Sequence, residues 1–167
     1  MTIPEVKAVM DEDIKDTFRP KRPEKWNKNK NEWLTTIDIQ NVLRQYQKSH
    51  KDFLFIGAVP IDFDKKITFG QCVVDELCNI NIKNILKKNR TKIGIVFNLD
   101  THDMPGSHWV AVFCDFSIDK IFFFDSYGSP PPKEIESLSP SVVLISLLNC
   151  TSTSVPPAKH FALSPNF

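Results

Sequence analysis

His108 and Asp125 are the two side chains of this sequence whose types and settings suit acid–base chemistry. His108 stands in Gly106-Ser107-His108-Trp109-Val110, where a glycine-containing loop runs into an apolar stretch. Asp125 closes Ile121-Phe122-Phe123-Phe124-Asp125, directly before Ser126-Tyr127-Gly128. A carboxylate that accepts an imidazole Nδ1–H fixes the tautomer and stabilises the imidazolium, which is what the general base of a nucleophile requires. Each residue also has an ordinary reading: a structural histidine at a strand start, and an aspartate that forms a turn. His50, His102 and His160 read as surface residues. His102-Asp103 offers two adjacent ligands without a third at suitable spacing, so no metal is expected.

The sequence has four thiols, Cys72, Cys78, Cys114 and Cys150. Cys114 lies within the apolar run after His108 and reads as a packed small hydrophobe. Cys72 and Cys78 lack a second pair to complete a zinc site and read as residues packed in a helix. The N-terminal MTIPEVKAVMDEDIKD has no apolar signal segment, and no apolar run approaches the ~20 residues that span a bilayer. The expectation is therefore an intracellular protein of cytoplasm or nucleus with reduced thiols.

The elements that must position His108 and Asp125 are strands. Lys92 to Leu99, His108 to Phe116 and Lys120 to Phe124 are rich in β-branched and aromatic residues, and Ser117-Ile118-Asp119 is a hairpin-length link. If the last two runs pair, their outer ends meet and His108 reaches Asp125. Upstream, Ile37, Ile39, Val42, Leu43 and Tyr46 suit one face of a helix capped at Thr36 or Asp38. Phe53 to Gly57 reads as a buried strand, with Pro60 to Asp64 as a loop. Val73, Val74, Leu77, Ile80, Ile82, Ile85 and Leu86 predict one helix over 70–88. Helices followed by a run of strands indicate an α+β class: helices packed on a small, mostly antiparallel sheet.

The 167 residues are 41% hydrophobic and 25% charged, ordinary for one globular domain. Lys+Arg 21 against Asp+Glu 20 leaves +1, so no global field draws the chain to nucleic acid or an anionic membrane. Residues 1–32 read as a polar arm with one short helix over Val6 to Phe18, and 33–136 as the core. Residues 137–167 hold seven Ser, two Thr and four Pro but one charged residue, Lys159, and read as a disordered or aberrant tail. Val142 to Leu148 within it suits either a buried strand or a sticky exposed segment.

Three blocks together resemble the ubiquitin-like-protein proteases and adenain-like cysteine proteases. Trp33-Leu34 with Ile37-Asp38-Ile39 looks like the family's entry motif. Lys92 to Leu99 resembles the strand before the catalytic His. His108-Trp109 and Phe124-Asp125-Ser126 look like its catalytic His-Trp and Asp-Ser pairs, in the family's order. Phe55 to Phe63 and Gly106 to Trp109 resemble the large-DNA-virus branch most. The resemblance implies a papain-like fold and a Cys-His-Asp peptidase without cofactor, with His108 as base, Asp125 as its orienting partner, and Trp33 and Trp109 along the substrate channel. It further implies a protein substrate, a ubiquitin-like conjugate or viral polyprotein cut after Gly-rich sites, and a virion setting if viral. Nucleic acid would enter only as a protease cofactor.

The family's nucleophile sits in an Asp/Glu-Cys-Gly context behind an oxyanion-hole Gln. Here no Gln follows Gln71, and the one thiol beyond Asp125 is Cys150, in Asn149-Cys150-Thr151. The expectation is a core truncated before its nucleophile, with Cys150 a weak stand-in. The alternative is a non-catalytic remnant that still binds a modifier or polyprotein segment.

Overall fold

A computed structural model of the chain describes residues 20–21, 23–29 and 31–143. The helix expected over Val6 to Phe18, Cys150, His160 and the chain after Val143 lie outside these residues. The elements run α1 (Lys25–Lys28), α2 (Thr36–Ser49), β1 (Phe53–Pro60), a 3₁₀ turn (Thr68–Gly70), α3 (Asp75–Cys78), α4 (Ile82–Leu86), β2 (Lys92–Asn98), β3 (Trp109–Asp115), β4 (Lys120–Phe124) and α5 (Lys133–Val143).

The class is α+β, as the pattern predicts, around one four-stranded sheet of order β1-β2-β3-β4. The β2/β3 and β3/β4 pairs are antiparallel. β1 joins β2 in parallel, with a bulge between Phe55 and Gly57. A parallel neighbour needs a crossover, and the chain from Ile61 to Thr91 supplies it.

Alternation sorts the sheet into two faces. Ile93, Ile95, Phe97, Val110, Val112 and Cys114 point to the larger core, which Val59, Phe63, Leu77, Ile82, Ile135 and Leu138 complete. Phe97 is 0% exposed. The opposite face carries Phe55 and Ala58, covered by Ile39 and Leu43 of α2 with Leu34, Phe53, Val96 and Trp109. On that face an aromatic row crosses the sheet: Phe53 lies beside Phe113, Phe113 beside Phe122, and Phe122 beside Phe124. Gly94, between Phe53 and Phe113, leaves the room the Phe53 ring occupies, since a Cβ there would fall 2.8 Å from it.

Several local expectations are corrected. The N-cap of α2 is Thr35, whose hydroxyl accepts from Asp38 N while Asp38 accepts from Thr35 N, a reciprocal capping box. Asp38 also pairs with Lys25 at 2.8 Å. Strand β1 extends through Pro60, an edge position that needs no ladder donor. The single helix over 70–88 is instead two short ones, α3 and α4. They break at Asn79–Asn81, where the Asn81 side chain caps α4 by accepting from Asn84 N. Both still turn Leu77 and Ile82 into the core, so the apolar spacing survives the break.

The thiols expected to be reduced are joined instead, and only Cys78 lies in a helix, where both were expected. Cys72 and Cys78 are joined as a disulfide with a Cα–Cα distance of 6.3 Å. Cys72 lies before α3 in a bridge with Lys66, and its N–H donates to the Asp75 side chain. That bond folds the approach back over α3, whose last residue is Cys78. Helix α5 runs across the composition break at residue 136 and buries Ile135 and Leu138.

Candidate active site

The β3/β4 register brings the pair together. Ala111 faces Phe124, so the residue before β3 and the residue after β4 emerge side by side. His108 Nε2 lies 2.5 Å from Asp125 Oδ1, across 17 positions of sequence. The nitrogen is the reverse of the general expectation, which gave Nδ1 to the carboxylate. An ionised carboxylate only accepts, so Nε2 carries a proton, and in the neutral imidazole the lone pair then falls on Nδ1. Nδ1 has no hydrogen-bond partner among the described residues.

Asp125 is built to stay ionised. Its side chain is 3% exposed, against 19% for His108. Burial alone would raise its pKa, but three donors outweigh burial: His108 Nε2–H, Tyr127 N–H at 3.1 Å and Ser129 N–H at 2.9 Å. Together they hold the carboxyl below the usual carboxylate range. Two of the three come from the turn that Asp125 itself begins. Gly128, at φ +74°, lets that turn close, and its N–H donates to Asp125 O at 3.1 Å. The turn also lays the Tyr127 ring on the His108 imidazole, with centroids 4.4 Å apart and planes 22° from parallel.

The loop that delivers His108 is clamped at its root. Asn98 Oδ1 accepts from Asp100 N at 3.0 Å and from Ser107 N at 3.3 Å. Ser107 Oγ donates to Asp100 Oδ1 at 2.8 Å, and Leu99 N donates to His108 O at 2.9 Å. Gly106 is at φ +95° against the Asn98 carboxamide. The same loop is tied outward through His102, whose Nδ1 lies 2.7 Å from Asp62 Oδ2 and whose N–H donates to Asp62 Oδ1. His102 is thus the surface residue expected, with a partner that the sequence did not announce. Asp62 lies on the β1–α3 connection, too far off in sequence for local reading.

Trp109 donates its indole N–H to Leu34 O at 3.0 Å, so β3 grips the segment that leads into α2. This sets Leu34 and Trp109 in one apolar cluster, while the neighbouring Trp33 is 76% exposed. Of the cysteines, Cys114 is on the core face of β3, opposite in direction to Trp109 and Phe113. Burial pushes its thiol pKa up to about 12, so it is no nucleophile. Among the described residues no cluster of His, Cys, Asp and Glu suits a metal ion, and no helix is long and apolar enough to cross a membrane.

The chain is 39% identical over 132 residues to a protein of Acanthamoeba polyphaga mimivirus that bears the name "Putative thiol protease R355". It is 30% identical over 108 residues to the cysteine protease S273R of African swine fever virus. The chain is similar to cysteine proteases of large DNA viruses. These matches take in 79% and 59% of the chain but 40% and 39% of the relatives, so the chain spans about two fifths of their length. Its fold is that of the African swine fever virus pS273R protease crystal structure, with a TM-score of 0.51 at 22% identity, over 88% of this chain and 58% of that one. No family model matches.

The adenain-like resemblance is thereby borne out on its viral side. Sequence reasoning singled out His108 and Asp125, and the fold brings them into contact. It missed the roles of Asn98 and Tyr127. Tyr127 has a signal in hindsight: an aromatic two residues beyond an acid that begins a Gly-containing turn.

Proposed function

We propose that this chain carries the acid–base half of a cysteine peptidase site. In this reading His108 is the general base through Nδ1, and Asp125 orients it through Nε2. The 2.5 Å contact between His108 Nε2 and Asp125 Oδ1 carries the reading, supported by the viral thiol-protease relatives. A thiol delivered to Nδ1 loses its proton there and attacks the scissile carbonyl. His108 then returns that proton to the leaving amine, and water releases the acyl group with the imidazole again as base. The substrate we infer is a protein, either a ubiquitin-like conjugate or a viral polyprotein cut after a Gly-rich site. Exposed Trp33, beside the Trp109–Leu34 contact, flanks the strand approaching the site. The setting we infer is the infected cell or the virion.

A second reading, a non-catalytic binder of the same Gly-rich tails, has one observation in its favour. The free thiol among the described residues, Cys114, is buried away from His108. One experiment separates the two readings. Purified chain is incubated with fluorogenic Gly-Gly and Gly-X-Gly peptides, beside His108→Ala and Cys150→Ala. Turnover lost in both variants establishes the peptidase, with Cys150 as its nucleophile. No turnover by a folded chain, with Gly-rich peptides still bound, establishes the binder.

A further inference from the structure

We propose that Tyr127 is the positioning residue of His108: its ring holds the imidazole in the one plane that joins Nε2 to Asp125 and leaves Nδ1 open. The inference deepens the reading of His108 as general base and rests on it. Three observations converge. The two rings stack at 4.4 Å and 22°. Tyr127 N–H bonds the same carboxylate oxygen, Asp125 Oδ1, that receives His108 Nε2–H. Tyr127 is nonetheless 80% exposed, an aromatic that folding has not buried. A ring that contributes little to the core but lies flat on the imidazole acts on the imidazole.

The geometry divides the labour within one turn. The carboxylate fixes one edge of the imidazole, and the Tyr127 face restrains its tilt and covers the Nε2–H bond from water on one side. An incoming thiol is confined to the Nδ1 edge. The tyrosine hydroxyl makes no hydrogen bond among the described residues, so the ring does the positioning and phenylalanine should replace it.

The test reads the imidazole itself in the full chain, by two-bond ¹H–¹⁵N NMR of labelled protein. In the wild type we expect His108 as the Nε2–H tautomer, with ring protons moved upfield by the Tyr127 ring current. Tyr127→Ala should abolish the upfield displacement, mix the tautomers and speed Nε2–H solvent exchange roughly three- to tenfold, the range set by losing one aromatic pair. Tyr127→Phe should behave as wild type. A Tyr127→Ala protein that keeps one tautomer and exchanges within about twofold of wild type overturns the proposal. So does a Tyr127→Phe protein that behaves like the alanine variant. Tyr127→Ser provides a second truncation at the same exposed position. Because the readout needs no turnover, its failure counts against Tyr127 alone, while a chain without peptidase activity can still meet it.

Discussion

The Asn98 carboxamide occupies the space in which a side chain at position 106 would stand. A Cβ built on Gly106 falls 2.4 Å from Asn98 Nδ2. The φ of +95° at Gly106 is one that residues with a Cβ rarely adopt. The loop before His108 therefore has its shape set by two residues that flank it, one by lacking a side chain and one by using it twice as an acceptor. Gly106→Ala should destabilise the fold by about 1–3 kcal/mol, read from the urea midpoint. Adding Asn98→Ala relieves the clash but not the dihedral, so the double variant should not return to wild-type stability.

Acid should expose the work of Asp125. Its pKa is lowered in the folded state from an ordinary value of 3.8. Its contribution to stability is thus fully present above about pH 4 to 5 and is lost as the pH falls through 3.8 to the depressed folded value. Asp125→Asn removes that dependence. Denaturation midpoints between pH 6 and 2.5 should fall less steeply for the variant than for wild type. Equal slopes would mean that the carboxylate is not held by His108, Tyr127 and Ser129 in solution.

Cys114 should be chemically silent. With its pKa near 12, about one thiol in ten thousand is ionised at pH 8, and burial denies access to the rest. Iodoacetamide at pH 8 should leave it unlabelled in native protein and label it fully in guanidinium, as scored by peptide mass spectrometry. Native labelling at Cys114 would mean that β3 opens readily.

The capping box at the start of α2 connects the helix to the site through Leu34. Thr35→Ala removes the acceptor for Asp38 N and should cost about 1 kcal/mol. Phe97→Ala, at the fully buried centre of the sheet, should cost about 3–5 kcal/mol. The contrast between the two, measured in one urea series, separates a local cap from core packing.

What was legible in the sequence follows from how far each signal reaches. The strands β2, β3 and β4 announce themselves by their β-branched and aromatic residues, and the short β3–β4 link fixes the pairing of the last two, so the approach of His108 to Asp125 could be inferred. The break between α3 and α4 could not, because Leu77 and Ile82 face the same core with or without continuous helix between them. The parallel pairing of β1 with β2 and the His102–Asp62 contact depend on chain that returns after a long excursion, and no local pattern encodes them. The Cys72–Cys78 bridge spans only six positions, but its closure depends on how the segment before α3 turns back onto that helix, which residue types do not specify. The choice of Nε2 over Nδ1 is a matter of side-chain rotation, which residue types do not specify.

The sheet also has an order in time. Asp115 meets Lys120 across a tight turn and Asn98 meets Trp109 across one loop, whereas Phe53 must wait for Lys92 across the whole α3–α4 excursion. Closing short loops first is entropically favoured. The β2–β3–β4 meander is then the early-folding unit and β1 with α2 the late arrival. His108 and Asp125 both belong to the meander, so their contact can be made during folding before the surface carrying Trp33 has docked.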